Sequence, residues 1–522
     1  MQTFYLNLLG LILFSSVLCS CGGKSSNNEQ TNQTSDSGKT TQLEQKLKPY
    51  TYQVSLSEVK GSKAPSLQSF VHAVNGNEWL LFGGRTNDVT DKIAGGMHNF
   101  SNYSNEGFPK KTFNTNLFVY NVQDTALYQM PVDSCVAKIV ENLPALKNDL
   151  PKLRAIFVNS NPQITQQDGY IYILGGYGVD YQGGAGYITY PQVAKIQVKA
   201  LMKLIKKEAL SKEDWNALIK VNFNLPEPII ATGGEMFIIN QKFYLAGGHH
   251  FKEAGKKSFQ KYLNAVQPFE LADSSNHFLT VTVGKAISDN LPDSTTIFRR
   301  RDAPIVPILS KIDNVLKPGI AFYTGVFTYG DDGTAWPDAI YIHPETQTKE
   351  GQLYTYDKPY NQEGNNAYSC ADFGGYDANS ETLHTFLLGG IGAGKNDTEL
   401  SFTNNGLHIQ YKTILHLNTT ILTKPQSKFK SLPEVFNGDT LKHGAEAALM
   451  LNEKLVKVPN SEIIDLQKTF GESNSVNIGY VYGGILSKSA APGGSSKGQS
   501  MASHKIWKVT LTRKPMLVPV SQ

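Results

Sequence analysis

Cysteine is scarce in this 522-residue chain: four in all, with Cys19 and Cys21 inside the first 21 residues. Only Cys135 and Cys370 remain, too few and too far apart for a disulfide framework, and both are expected to be buried and inert. No histidines, cysteines and carboxylates stand at metal-ligand spacing. His249-His250 is an adjacent pair, and neighbours on a strand point to opposite sides. No metal or other cofactor is therefore expected. Neither a serine-nucleophile motif nor a phosphate loop occurs in a credible context. Charge of one sign is also lacking: the formal balance is +4, with no basic run, which excludes nucleic acid as the expected partner. Long hydrophobic runs are absent too. The longest, Phe4 to Leu18, is too short to span a membrane and suits the apolar stretch of a signal peptide.

Directly after that run comes Leu18-Cys19-Ser20-Cys21, with a small residue before a nucleophilic thiol. It resembles the lipobox of bacterial lipoproteins. The resemblance implies a signal peptide over 1–20 and a lipid on Cys21, which becomes the new N-terminus. No Lys or Arg precedes the run, so the α-amino group is its only positive charge. From Gly22 to about Gln45 the chain is Ser, Asn, Gln, Thr and Gly, too polar to order itself. Residues 21–48 are read as a flexible tether, spanning roughly 25–30 Å.

What the chain does have is a recurring phrase, a short apolar strand that ends in a glycine pair. It reads Trp79-Leu80-Leu81-Phe82-Gly83-Gly84, then Tyr172–Gly176, Tyr244–Gly248, Phe386–Gly390 and Tyr480–Gly484. A degenerate copy, Phe322-Tyr323-Thr324-Gly325-Val326, fills the gap, with Gly325 aligned as its first glycine and the second missing. Repeats at uneven spacing point to a propeller or array. Glycine pairs permit a tight turn and close approach of a neighbouring backbone. From about Pro65 onward the chain resembles the kelch β-propeller family. The fold class this implies is all-β: a six-bladed kelch-type propeller over 49–522. Tyr52-Gln53-Val54-Ser55-Leu56 alternates like a strand and is expected to close the ring in the last blade, beside Ile506–Leu511 and Met516–Val520. Between Leu201 and Leu218 the apolar spacing is helical, with Ser211 capping a second helix, so a small helical insertion with a solvated Lys-rich face is expected.

In the family the first strand of each blade starts at the channel mouth. Aligning a polar residue followed by a small or apolar one gives His72-Ala73, Arg154-Ala155, Glu235-Met236, Asp302-Ala303, Cys370-Ala371 and Glu446-Ala447. That register places His72, Arg154, Glu235, Asp302 and Glu446 at equivalent positions, with Arg301 beside Asp302 and Asp372 beside Cys370. Charges of both signs on inner strands demand pairing or solvation: either they pair with one another and seal the channel, or around a wet mouth they suit a polar ligand. Loop residues Arg85, Tyr177, Tyr181, His249, His250, Trp336 and the Asp331-Asp332-Gly333 turn surround it, offering aromatic faces and acceptors for a sugar. The resulting expectation is a monomeric, lipid-anchored protein of the cell envelope that binds a carbohydrate or protein partner at the channel mouth. The alternative is a sugar epimerase or mutarotase of the sialic-acid type using Glu and Arg there. The copper chemistry of galactose-oxidase-like relatives finds no ligand set.

Overall fold

Glycine pairs set the geometry of this protein. Its computed structural model describes residues 50–516, apart from 88–108, 182, 185, 254–258, 327, 329–334, 363–364, 366–368, 394–399, 418–419, 422–426 and 489–499. The leader, Cys21, the tether and the Asp331–Gly333 turn lie outside the described residues. Residues 48–522 form one compact unit.

Each apolar phrase is the second strand of an antiparallel meander, and the first strand is the short segment hairpinned onto it. Val71–Asn75, Glu78–Phe82, Asn116–Asn121 and Leu127–Pro131 make the first sheet. Later sheets are opened by Gln163–Gln167, Thr232–Ile239, Ile305–Ile312, Ala371–Asp377 and Lys442–Leu451, each paired to its own glycine-ending strand. Together they stand in a β-propeller arrangement in which five blades are evident.

Two relays of backbone hydrogen bonds tie these sheets together at one end. In the first, the second glycine of a pair donates its N–H to the sheet that follows. Gly84 reaches the Asn159 carbonyl at 2.6 Å, Gly176 reaches Ala231 at 3.0 Å and Gly248 reaches Arg300 at 2.8 Å. Gly484 returns to Leu67 at 2.9 Å, so the last sheet is joined to the first. The glycines are needed because the turn requires positive φ and leaves no room for a side chain. At Gly175 (φ +64°) a Cβ would overlap the Ala231 carbonyl oxygen.

The second relay runs through residues within or shortly before the inner strands: Ser69, Asn161, Gly233, Asp302, Ser369 and Glu446. All six have φ between +44° and +70°. Each N–H donates to the carbonyl of the one before: Asn161 to Ser69 at 3.0 Å, Gly233 to Asn161 at 3.3 Å, Asp302 to Gly233 at 2.8 Å, Ser369 to Asp302 at 3.0 Å and Glu446 to Ser369 at 2.6 Å. Asn and Asp tolerate this left-handed conformation better than other side chains. Glu446 is the unusual member.

The degenerate copy needs a correction. Thr324 (φ +65°) and Gly325 (φ +122°) take the two glycine positions, so Gly325 is the second of the pair rather than the first. Opposite Thr324 the register places Ala303, as Ala447 lies opposite Gly483. Val326 is an ordinary buried residue beyond the turn.

Closure falls to the N-terminal strand. Tyr50–Glu58 pairs antiparallel with Ile506–Pro515 over its whole length, from Tyr50 opposite Pro515 to Glu58 opposite Trp507, and forms the outer edge of the last sheet. Tyr52, Val54 and Leu56 turn inward and pack with Ile478, Val481 and Trp507.

The helical insertion is larger than expected. Helix α1 (Val132–Asn142) and helix α2 (Leu150–Phe157) precede the second sheet, while α3 (Val198–Lys206) and α4 (Lys212–Leu218) interrupt it. Their apolar faces, including Cys135, Ile139, Leu153, Ile156, Leu201 and Ile205, share a core with Val71, Leu80 and Ile171. Ser211 caps α4 as expected: its Oγ accepts from Asp214 N–H at 3.1 Å, and Asp214 Oδ2 accepts from Ser211 N–H at 3.0 Å. On the Lys-rich face, Lys203 pairs with Asp214 and Lys206 with Glu78.

Candidate binding site at the channel mouth

The second relay sets the register of the mouth and corrects the sequence alignment. Asp302 and Glu446 are relay residues and structurally equivalent. Cys370 is one step beyond its relay residue Ser369, Glu235 is two beyond Gly233, and His72 is three beyond Ser69, where Asp372 is its counterpart. Arg154 is not on an inner strand. It lies in the last turn of α2, on the exposed side, with its Nε 2.7 Å from Asp133 Oδ1. The polar-then-small pattern misleads there because Leu150-Pro151 starts a helix, whose Leu153, Ile156 and Phe157 fill the core. The second sheet starts instead at Gln163, preceded by its relay residue Asn161.

Without Arg154 the expected ring of mixed sign becomes chiefly acidic. Asp302 accepts from Asn161 Nδ2 at 3.2 Å, reaching past Gly233, where a Cβ would stand 2.5 Å from Asp302 Oδ1. Glycine is thus required there to let the two side chains meet. Glu446 accepts from Ser69 Oγ at 2.6 Å and from the Ser369 hydroxyl. Beyond this layer stand Glu235 and Asp372. Glu235 alternates with Met236, so it shares a side with Phe237 and Ile239, which pack toward Ile305 and Phe322. Asp372 shares a side with Tyr376, which packs toward Val306 and Ile308. Both carboxyls therefore flank the Ile305–Ile312 strand from opposite neighbours.

Protein surrounds Glu235, yet the residue remains exposed, and Asp372 is half-buried. Burial raises the Glu235 carboxyl to about 8, with Asp372, Glu446 and Asp302 adding to the rise. Solvent exposure of Glu235 weakens the burial contribution, while the three neighbouring carboxylates keep the direction upward. Asp372 is raised to about 7 by burial. Glu446 is raised to about 7 by burial and by Asp302, with the Ser69 and Ser369 hydroxyls opposing. His72 is lowered to about 4 by burial, so it is neutral at pH 7. Cys370, expected to be buried, is partly exposed near these acids, and burial together with Asp372 pushes its thiol pKa up, so it remains a thiol.

Arg301 sits at the rim. Its Nε is 3.5 Å from Asp302 Oδ2, and one guanidinium nitrogen lies 3.3 Å from His249 Nε2. His249 is held below its usual pKa by burial and by Arg301, so it faces the guanidinium as a neutral acceptor.

The loop candidates serve the scaffold. Arg85 is wholly buried and donates to Pro109 O and Thr112 Oγ1, with its guanidinium 4.1 Å above the Phe113 ring. Tyr177 receives the Arg85 Nε, and Tyr181 stacks on Tyr190. Trp336 is buried, covers Arg300 and donates to Arg299 O. His250 lines an outer pocket of about 220 Å³ together with Glu227, Lys261 and Gln267. A second pocket, about 180 Å³, is lined by Trp79, Met450 and Tyr480. Neither includes the mouth carboxyls. Among the described residues, no three metal-ligating side chains converge.

The described residues thus stand in a β-propeller arrangement that brings the inner-strand carboxyls of Asp302, Asp372 and Glu446 within electrostatic reach of Glu235. No family model and no curated protein matches the chain. Among solved structures, one titled "Structure of YjhT" aligns with 87% of this chain and 99% of its own length, at 10% identity and a TM-score of 0.41. Nothing about the site follows from so distant a similarity.

Proposed function

We propose that this chain is a six-bladed kelch-type propeller, anchored in a bacterial envelope through a lipid on Cys21, whose channel mouth binds a carbohydrate. Six relay residues linked head to tail, one within or shortly before each inner strand, support the blade count. The observation that carries the binding site is the set of enclosed but water-accessible carboxyls, Glu235, Asp302, Asp372 and Glu446. Glu235, Asp372 and Glu446, held near their titration point at neutral pH, accept and donate hydrogen bonds, which is what a sugar's hydroxyls require.

A glycan-array screen of residues 48–522 against the Glu235→Gln Glu446→Gln variant tests this reading. Binding that the variant loses supports it, and equal binding by both proteins refutes the site. Membrane fractionation of Cys21→Ala tests the anchor, since release, or retention only as an uncleaved precursor, is expected.

One observation favours a mutarotase as a second reading: Glu235 and Glu446 are poised to hold or take a proton near neutral pH. One would take the proton of an anomeric hydroxyl while the other protonates the ring oxygen as the C–O bond opens to the aldehyde. Polarimetric equilibration of a freshly dissolved anomer, accelerated by wild type and not by Glu235→Gln, distinguishes it from simple binding.

A further inference from the structure

The outer pocket of about 220 Å³ beside the third sheet is separate from the mouth, and its walls leave polar groups unused. One wall is the short helical turn Glu227–Ile229 with Ile230, ahead of the first strand of that sheet. The other is Phe259–Tyr262, paired antiparallel with the end of Lys242–Lys252, and the chain that follows it to Ala265. Register sets Lys261 opposite His250, so both stand on one face and both line the pocket. Between the two walls, Lys261 Nζ lies 2.9 Å from a Glu227 carboxylate oxygen, with the side chains 59% and 52% exposed. An ion pair so open to solvent adds little to stability, so a ligand parts it at little cost.

Other groups at the pocket are unmet. Gln267 is 6% exposed, and its Nε2 donates to Pro268 O at 3.2 Å and Gly284 O at 2.7 Å. Among the described residues, nothing donates to its Oε1 and nothing bonds the Asn264 side chain. His250 Nδ1 is buried without a partner. Buried polar groups are rarely left so, and two of them beside an idle amide at one cavity point to a ligand. The chemistry divides into two kinds. Glu227 and Gln267 Oε1 accept, while Lys261 and the Asn264 amide N–H donate. Ile230, Leu263 and Ala286 supply apolar wall. A sugar would meet the amides but leave the two charges paired with each other. An α-amino acid holds an ammonium and a carboxylate one carbon apart, so it can enter between Glu227 and Lys261 and replace one weak pair by two charge-assisted ones. We propose that this pocket, independently of the mouth, binds a free α-amino acid with a small apolar side chain. Glu227 and the Gln267 carbonyl oxygen hold its ammonium, and Lys261 and the Asn264 amide hold its carboxylate.

Calorimetric titration of the protein at pH 7 with L-valine, isobutylamine, isobutyrate and glucose tests this. The amine and the acid each lack one of the two charges, and L-valine is expected to bind about tenfold or more tightly than either. Glu227→Gln and Lys261→Met alter exposed side chains, so the melting transition should stay in place while each weakens L-valine about tenfold or more. Ala286→Trp, also at an exposed position, should close the pocket to it. The mouth variant Glu235→Gln Glu446→Gln should bind L-valine as wild type does. No binding of L-valine, equal binding of the amine or the acid, or tighter binding of glucose would overturn the inference. So would L-valine binding that survives Glu227→Gln and Lys261→Met, or that is lost in the mouth variant.

Discussion

Replacing the glycine just ahead of a first-relay donor isolates the interaction that joins the sheets. Gly175 and Gly76 have nearly the same backbone, φ +64° and +63°, but different surroundings. A Cβ on Gly76 would meet nothing within 4 Å, whereas on Gly175 it would overlap the Ala231 carbonyl oxygen of the next sheet. The left-handed backbone costs an alanine about 1–2 kcal/mol at either site. At Gly175 the sheets must also part to admit the methyl group, adding about 1–3 kcal/mol as overpacking does. The adjacent Gly176 N–H bond to that same carbonyl, 3.0 Å long, is then stretched or lost, a further ~0.5–1.5 kcal/mol. Gly175→Ala should therefore cost about 2.5–6.5 kcal/mol, against about 1–2 for Gly76→Ala. Urea unfolding of residues 48–522, with the slope compared between variants, measures both. Equal losses at the two positions would refute the view that glycine pairs act by letting neighbouring sheets touch.

Further outcomes follow from the same contacts. Deleting residues 1–47 should leave the melting transition unchanged, whereas also deleting Tyr50–Glu58 strips Tyr52, Val54 and Leu56 from the last sheet and should abolish cooperative unfolding. Circular dichroism melts decide it. Arg300→Met leaves Asp338 buried beside a lost guanidinium and should cost about 3–5 kcal/mol by denaturant titration; a loss under ~1 would contradict the pairing. Arg154→Ala breaks only an exposed ion pair with Asp133 and should cost under ~1 kcal/mol while leaving ligand binding intact. Glu235, Asp372 and Glu446 all have pKa values raised in the fold, so their contribution is fully present below the ordinary carboxylate range and is lost as pH rises through about 7 to 8. Melting temperature should fall across that window, and Glu235→Gln Asp372→Asn should flatten the fall.

Much of the scaffold was legible because it rests on local chemistry. The glycine pairs marked second strands because only glycine fits two successive positive-φ positions against a neighbouring backbone. Alternation at Tyr52–Leu56 marked the closing strand, and Ser211 with Asp214 marked a helix start. Thr324 was not legible, because a threonine at φ +65° is held there by its surroundings rather than by any preference of its own. Arg154 was misplaced for a related reason: a charged residue before alanine fits a helix as well as a strand, and tertiary packing of Leu153 and Phe157 decided between them.

The relay residues Ser69, Asn161 and Ser369 were missed, although a signal exists. Ser69, Asn161 and Gly233 each lie fourteen residues ahead of the first glycine of their pair. That constant offset is the length of one hairpin. Longer hairpins in the later sheets break it, so the acidic cluster could not be assembled by spacing alone. Glu235, Asp302 and Glu446 were identified as mouth residues, but their separate layers depend on a register that only the paired strands supply.

The account's central claim is that the unpartnered mouth carboxyls serve a ligand and not the fold. The most direct test is the unfolding free energy of Glu235→Ala Asp372→Ala at pH 7, measured by urea titration beside wild type. Removing two mutually repelling, partnerless acids should leave stability unchanged or raise it. A clear loss of stability would show that the fold itself uses the two acids, and would contradict the claim.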